Sequence, residues 1–130
     1  MGCDIHAVIY ADWYEEKNAV MGFWEPRDYA LFAAMAGVRN YQEPPVEPVA
    51  EPRGLPPYVK VKSDGMISTF FGNDDTWIGD HSYSWLTTDE FAEAIKRAGG
   101  VDAEYEAALA AMRALDARGR NAQIVFGFDN

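Results

Sequence analysis

The sequence is poor in cysteine, histidine and basic side chains. Its one cysteine, Cys3, excludes an internal disulfide and is typical of a reducing compartment. No apolar run approaches the roughly 20 residues of a membrane-spanning helix. The first residues also lack the basic start, apolar stretch and small-residue cleavage site of a secretory signal. We therefore expect a cytoplasmic protein that is not inserted in a membrane.

The scarcity of basic residues, 11 against 21 acidic ones, leaves a formal net charge of −10. A negative overall field repels nucleic acid, so we expect no direct nucleic-acid binding. A phosphate-bearing ligand would need local compensation by arginine or by a metal ion. The same acidity could instead attract a basic surface of another protein, or it could serve solubility alone.

The chain length of 130 residues suffices for one domain with a hydrophobic core, and we treat residues 1–130 as a single domain. Its two ends are the most strand-like segments. Apolar side chains alternate along "CDIHAVIYADWY" (3–14), and "AQIVFGFDN" (122–130) is a second apolar run. Because both are strongly apolar, we expect them to pair antiparallel inside one sheet. After a turn at 15–18, "AVMGFW" (19–24) would return as a hairpin.

Capping residues mark three helix starts. Asp28 precedes the apolar segment 29–38, and Asp102 precedes a third helix. Between them, Thr87 and Glu90 have the spacing of a capping box. Strands at both ends with helices between them predict an α+β fold. Its antiparallel sheet includes the N- and C-terminal strands and is packed by two to three helices.

Three connecting segments have their own character. Residues 40–57 contain six of the seven prolines, and Glu-Pro recurs every four residues from position 43. Proline fixes its own φ and biases its predecessor toward extended backbone, which predicts a polyproline-like surface loop. We expect "YVKVK" (58–62) to be a short edge strand and residues 72–86 to be a polar, aromatic loop.

A candidate metal site follows from the predicted pairing of the two ends. Asp4 and His6 share one face of the first strand, and antiparallel pairing would bring them to Asp129. Gly127 would leave room above that face. With His81 from the polar loop, these side chains make a plausible set for Zn or Mn. The competing interpretation treats them as hydrated strand ends and internally hydrogen-bonded histidines.

Arginine and tryptophan are the candidate ligand contacts near this site. Arg27 and Arg39 flank the first predicted helix, and Arg53 follows the proline-rich loop; all three could bind an anion in an otherwise acidic chain. Trp24, Trp77 and Trp85 lie in or beside loops and could stack on a ligand base. For Trp85, we favour the alternative that its ring pins the loop to the core.

The chain also resembles a family of small, functionally uncharacterised proteins found largely in bacteriophage and prophage genomes. The resemblance rests on "MGCDIH" at the start, "RDYALFAAMAGVR" (27–39), "RGLP" (53–56), "HSYSWLTTDEF" (81–91) and the closing "VFGFDN" (125–130). It implies an accessory protein inside the host cell. It carries over no catalytic residues.

Three functional interpretations follow. The first is a stoichiometric binder in phage–host conflict. Its phosphorylated or nucleotide-like ligand would lie at the site formed by Asp4, His6, His81 and Asp129, here called the terminal-strand site, and a host defence protein would be a further partner. The second is a metal-dependent phosphoesterase or nuclease, in which the metal activates a bound water. The third is an acidic inhibitor that mimics DNA, which needs carboxylates clustered on one face, such as those of Glu90, Glu93, Asp102, Glu104 and Glu106.

Overall fold

The computed structural model describes residues 2–69 and 75–130. The strands in this part of the chain are β1 (Asp4–Trp13), β2 (Glu16–Gly22), β3 (Met66–Ile67), β4 (Thr76–Trp77), β5 (His81–Thr87) and β6 (Gln123–Asp129). The helices are α1 (Tyr29–Ala36), α2 (Thr88–Ala98) and α3 (Ala103–Ala117). Four strands form an antiparallel sheet in the order β2-β1-β6-β5, and β3 pairs with β4.

The two terminal strands are neighbours, as the sequence predicts. β1 pairs with β6 along seven residues, from Asp4 opposite Asp129 to Tyr10 opposite Gln123. β6 also pairs with β5, so it lies inside the sheet. Its five residues from Ile124 to Phe128 are buried. The predicted α+β fold, with an antiparallel sheet that includes both terminal strands and packs against helices, is therefore confirmed.

Alternation along the central strands builds two apolar clusters, one on each face of the sheet. On the helix face, Ile5, Phe126 and Phe128 join the buried residues of α1, α2 and α3. On the opposite face, Val8 and Val125 pack with residues from the segment 55–69 and from β5. The sheet is thus covered on both sides, which explains why β6 reads as a nearly continuous apolar run.

All three predicted helix starts agree with the structure, and two of the three capping side chains make their hydrogen bonds. The Asp28 side chain accepts a hydrogen bond from the Leu31 N–H at 3.0 Å. At α2, both hydrogen bonds of the Thr87–Glu90 capping box are present. Asp102 stands at the start of α3, but its side chain makes no capping hydrogen bond.

Three predicted segments differ from the structure. The turn expected at 15–18 is shifted, because β2 begins at Glu16 and ends at Gly22 instead of covering 19–24. Much of the predicted loop 72–86 is strand β5, and residues 72–74 of it lie outside the described residues. The sequence did not predict this strand because most of its side chains are polar or aromatic. β5 is an edge strand, in which only Ser84 and Leu86 are fully buried. The expected edge strand 58–62 contributes a single bridge, Val61 with Ile67.

The proline-rich segment has neither helix nor strand over residues 40–57, but it is held to the fold. The backbone N–H of Val49 donates to the Ala34 carbonyl at 2.9 Å, and Asn40 exchanges two side-chain hydrogen bonds with the Val46 backbone. Val46 and Val49 pack against the helix-face cluster. The loop therefore packs over the helix-face cluster and keeps its glutamates in solvent.

A close backbone crossing fixes the layer on the face away from the helices. The segment 77–79 passes over β6 at Gly127, where a Cβ would lie 2.2 Å from the Ile78 carbonyl oxygen. At Gly79, whose φ is +92°, a Cβ would lie 2.7 Å from the Phe128 nitrogen. Both glycines are required by this approach.

Among the residues the structure describes, no helix is long and apolar enough to cross a membrane.

Gly127→Ala is expected to lower the free energy of unfolding by about 1–3 kcal/mol, because the new methyl group would force two backbone segments apart. Chemical denaturation of both proteins followed by circular dichroism measures this loss. An unchanged denaturation midpoint would show that the crossing at β6 is looser than described.

Acid stability is expected to depend on the ion pair of Glu90 with Arg53. The Arg53 guanidinium lowers the pKa of Glu90 to about 2, well below its usual value of 4.5. The stabilisation is therefore complete above pH 4.5 and is lost as the pH falls toward 2. Arg53→Gln should remove most of this acid-dependent loss, whereas Arg97→Gln, which breaks the exposed pair with Glu93, should change it less. Unfolding free energies measured from pH 5 to pH 2 test this. Equal effects of the two substitutions would contradict it.

Candidate functional site

The paired ends of β1 and β6 bring three of the predicted site residues together. The His6 Nε2 and Asp129 Oδ2 atoms are 2.6 Å apart. The other carboxylate oxygen of Asp129 accepts the backbone N–H of Asp4 at 3.2 Å. Asp129 therefore closes the strand ladder and orients the imidazole at the same time. About a quarter of each of the two side chains, His6 and Asp129, is exposed.

Arg27 extends this site on the solvent side. Its Nε atom donates to Asp4 Oδ1 at 3.0 Å, and about half of each side chain is exposed. The hydrogen bond from Arg27 lowers the pKa of the Asp4 carboxyl. The guanidinium lies against Gly2, where any Cβ would collide with it. Its two terminal nitrogens make no hydrogen bond to the described residues, so they remain available as donors.

Glu25 is a site residue that the sequence reasoning missed. β2 ends at Gly22, and beyond that point the Glu25 carboxylate accepts the Ala7 backbone N–H at 2.7 Å. Burial raises the pKa of Glu25, while the bond from Ala7 and the nearby His6 oppose the rise. No sequence periodicity indicates this role. Glu25 lies beyond the end of β2, and its side chain accepts the Ala7 N–H in place of a backbone carbonyl from a neighbouring strand.

Trp77 covers the imidazole of His6. The two ring centroids are 4.6 Å apart and the ring planes are inclined by 51°. Strand β4 positions the indole, which keeps about a third of its surface exposed. The prediction that Trp77 stacks on a ligand is therefore modified, because one side of its ring already contacts His6.

The structure does not bring His81 to this site. His81 pairs with Phe128 across the sheet and stacks on its ring at 6.2 Å, on the face that the helices cover. Asp4, His6 and Asp129 lie on the opposite face by alternation. The His81 Nδ1 atom is 3.0 Å from Ser82 Oγ, and its Nε2 atom is buried without a partner among the described residues.

The predicted four-residue metal set is consequently not assembled. Within residues 2–69 and 75–130, no group of three or more His, Cys, Asp or Glu side chains is placed to hold a metal ion. Asp4, His6 and Asp129 instead bond to one another and to Arg27. Zinc or manganese at Asp4, His6, His81 and Asp129 stays a prediction that this geometry does not support.

The remaining predicted contacts lie apart from the His6–Asp129 pair. Arg39 stands over the Tyr29 ring at 5.7 Å, and Tyr29 accepts the Cys3 backbone N–H through its hydroxyl. Trp85 lies on β5, where the Arg53 guanidinium covers its ring at 4.4 Å. That arrangement agrees with a ring that pins the loop to the core rather than a ring open to a ligand.

Comparison with known proteins adds no family assignment, because no protein-family model, no curated protein and no solved structure matches the chain. Chemical inference therefore rests on the site itself.

A carboxylate-bound imidazole can exchange a proton or donate a hydrogen bond through its second nitrogen. Cys3 is completely buried on the helix-facing side of the sheet, so it is not positioned as a nucleophile for His6.

Glu25→Gln is expected to raise the free energy of unfolding at pH 7, because glutamine still accepts the Ala7 N–H without burying a charge. The raised pKa means that the ionised form costs stability at neutral pH and that this cost disappears as the carboxyl is protonated. The difference from the unmodified protein should therefore shrink as the pH falls toward 4.5 and be absent below that value.

Glu25→Ala is the control, since it leaves the Ala7 N–H without its acceptor. We expect a loss of about 1–3 kcal/mol that is larger at pH 4 than at pH 7, because the unmodified protein carries the cost of the buried charge only at the higher pH. Denaturant titrations at pH 4 and pH 7 compare the three proteins. A glutamine variant as unstable as the alanine variant at pH 7 would show that the charge of Glu25 is itself stabilising.

Proposed function

We propose that this protein is a stoichiometric binding protein that holds a phosphorylated or nucleotide-like ligand at the paired ends of β1 and β6. The observation that carries the proposal is the state of Arg27. Its Nε atom is used by Asp4, but its two terminal nitrogens are unbonded within the described residues and half of its side chain is exposed. A planar guanidinium with both terminal nitrogens available is suited to a phosphate group.

The neighbouring groups support a ligand that is more than a bare phosphate. His6 keeps one ring nitrogen for a second hydrogen bond, because its Nε2 is used by Asp129. Trp77 adds a partly exposed aromatic surface beside the imidazole. Asp4 and Asp129 would repel a highly charged anion, so a ligand with a base or sugar as well as one phosphate fits better.

The wider role follows from the resemblance of the sequence to bacteriophage proteins. On that basis we propose an accessory protein of phage–host conflict that acts in the host cell by sequestering its ligand. A binding role suits a site with no nucleophile hydrogen-bonded to His6 among the described residues. A DNA-mimicking surface has less support, because Glu90 is bound by Arg53 and Glu93 by Arg97.

Hydrolysis of a phosphoester is the second candidate, and the short His6–Asp129 contact favours it. A carboxylate that orients an imidazole is a common arrangement for a general base. In this version the second ring nitrogen of His6 would take a proton from a water whose oxygen attacks the phosphorus held by Arg27. The bond from phosphorus to the ester oxygen would break, and the imidazolium would return the proton to that leaving oxygen. The metal of the second sequence-based interpretation is not needed for this step.

Binding of adenosine monophosphate, with inorganic phosphate as a second probe, tests the proposal. Arg27→Gln should weaken binding of the nucleotide about tenfold or more, because a charge-assisted contact is lost. Arg113→Gln on the exposed side of α3 is the matched control and should bind normally. Nuclear magnetic resonance titrations that follow the His6 ring, which all three proteins keep, measure both effects.

Two outcomes would contradict the binding proposal: no saturable shift with either probe, or equal affinity of the Arg27 and Arg113 variants. Release of phosphate from the nucleotide that is lost in His6→Gln would instead favour the hydrolytic candidate. Thermal denaturation of each variant confirms that the fold is kept.

A further inference from the structure

A cavity lies on the same face of the sheet as the His6 site, between the β1–β2 hairpin and the segment 58–69. Its volume is about 520 Å³, within the range of small-molecule sites. The walls include Tyr10, Tyr58, Ala19 and Lys60. None of these residues belongs to the His6 site, and the cavity is independent of the function proposed above.

The floor of the cavity is aromatic. The rings of Tyr10 and Tyr58 have centroids 5.3 Å apart and planes inclined by 53°. Ala19 stands opposite Tyr10 in the β1–β2 ladder, and its small side chain leaves the space beside the ring open. An apolar ring of a ligand would find edge and face contacts of the kind that aromatic side chains prefer.

Tyr10 carries a hydroxyl that the described part of the chain does not use. The other largely buried tyrosines have partners: Tyr58 donates to Gln123, Tyr83 to the Gly79 carbonyl and Tyr105 to the Pro26 carbonyl. Tyr10 is only 3% exposed, but its hydroxyl is not fully enclosed and makes no hydrogen bond to a described residue. Burial raises the pKa of Tyr10 to about 12, so the hydroxyl remains a donor at neutral pH.

The charges near the cavity favour an anionic group. Lys17 is already held by Asp12 at 3.1 Å and by the Asn121 carbonyl at 2.5 Å. Lys60 is exposed and has no ion pair within the described residues, so its ammonium is available. Glu16 also lines the cavity, although alternation along β2 turns its side chain to the opposite face from Lys17 and Ala19.

We propose that this cavity binds a small aromatic carboxylate. The ring of the ligand lies against Tyr10, Tyr58 and Ala19. Its carboxylate accepts hydrogen bonds from the Tyr10 hydroxyl and from the Lys60 ammonium. The bound carboxylate thereby pairs with the Tyr10 hydroxyl and with the Lys60 ammonium together.

Benzoate is the probe, with benzyl alcohol and acetate as comparisons for its carboxylate and its ring. Amide chemical shifts of the full chain should move in a saturable way around Tyr10, Ala19 and Tyr58 with benzoate. Lys60→Gln should weaken this binding about threefold, as expected for an exposed ion pair. Tyr10→Phe should weaken it about threefold to tenfold through the lost hydrogen bond.

Lys96→Gln on α2 is the matched charge control, and His6→Gln separates this cavity from the terminal-strand site. Both variants should bind benzoate as the unmodified protein does. Absence of saturable shifts with benzoate would overturn the proposal, as would benzoate affinity unchanged by Lys60→Gln. Equal binding of benzyl alcohol would refute recognition of the carboxylate, and equal binding of acetate would refute recognition of the ring. If Tyr10→Phe fails to fold, the Lys60 variant still decides.

Discussion

Strand β6 is enclosed on every side, and the other layers pack against it. β1 and β5 bond to its two edges, the helices cover one face, and the segment 77–79 crosses the other. That crossing is possible only because Gly127 has no side chain to hold the two backbones apart. It also places Trp77 beside His6, so the same constraint that closes the fold shapes the candidate site.

The terminal-strand site depends on the double use of Asp129. One oxygen of its carboxylate extends the β1–β6 ladder to Asp4, and the other holds His6. Arg27 then balances Asp4 while keeping its terminal nitrogens for another acceptor. The site therefore combines three carboxylates, those of Asp4, Glu25 and Asp129, with one permanent cation and one imidazole. This balance suits a ligand with a single phosphate and further polar groups better than a multiply charged anion.

The two faces of the sheet have separate tasks. The helix face is almost entirely apolar. Of its two potentially reactive side chains, Cys3 is buried and His81 is stacked against Phe128. The opposite face carries both candidate ligand sites, with His6 and Tyr10 four residues apart along β1. At the usual rise of a strand they are separated by roughly 13 Å, so two ligands could occupy this face independently.

Local sequence patterns determined the terminal strands, the capped starts of α1 and α2 and the shared face of Asp4 and His6, because each depends on neighbours a few residues away. The apolar character of both ends was also enough to predict their pairing. Only the tertiary structure decided that Glu25 completes the β1 ladder, that Trp77 contacts His6 and that His81 lies on the other face. These placements depend on a strand end, a backbone crossing and a bulge between His81 and Ser84. Such features join residues that are distant in the chain, and a single irregular residue in a strand reverses which face the next side chain occupies.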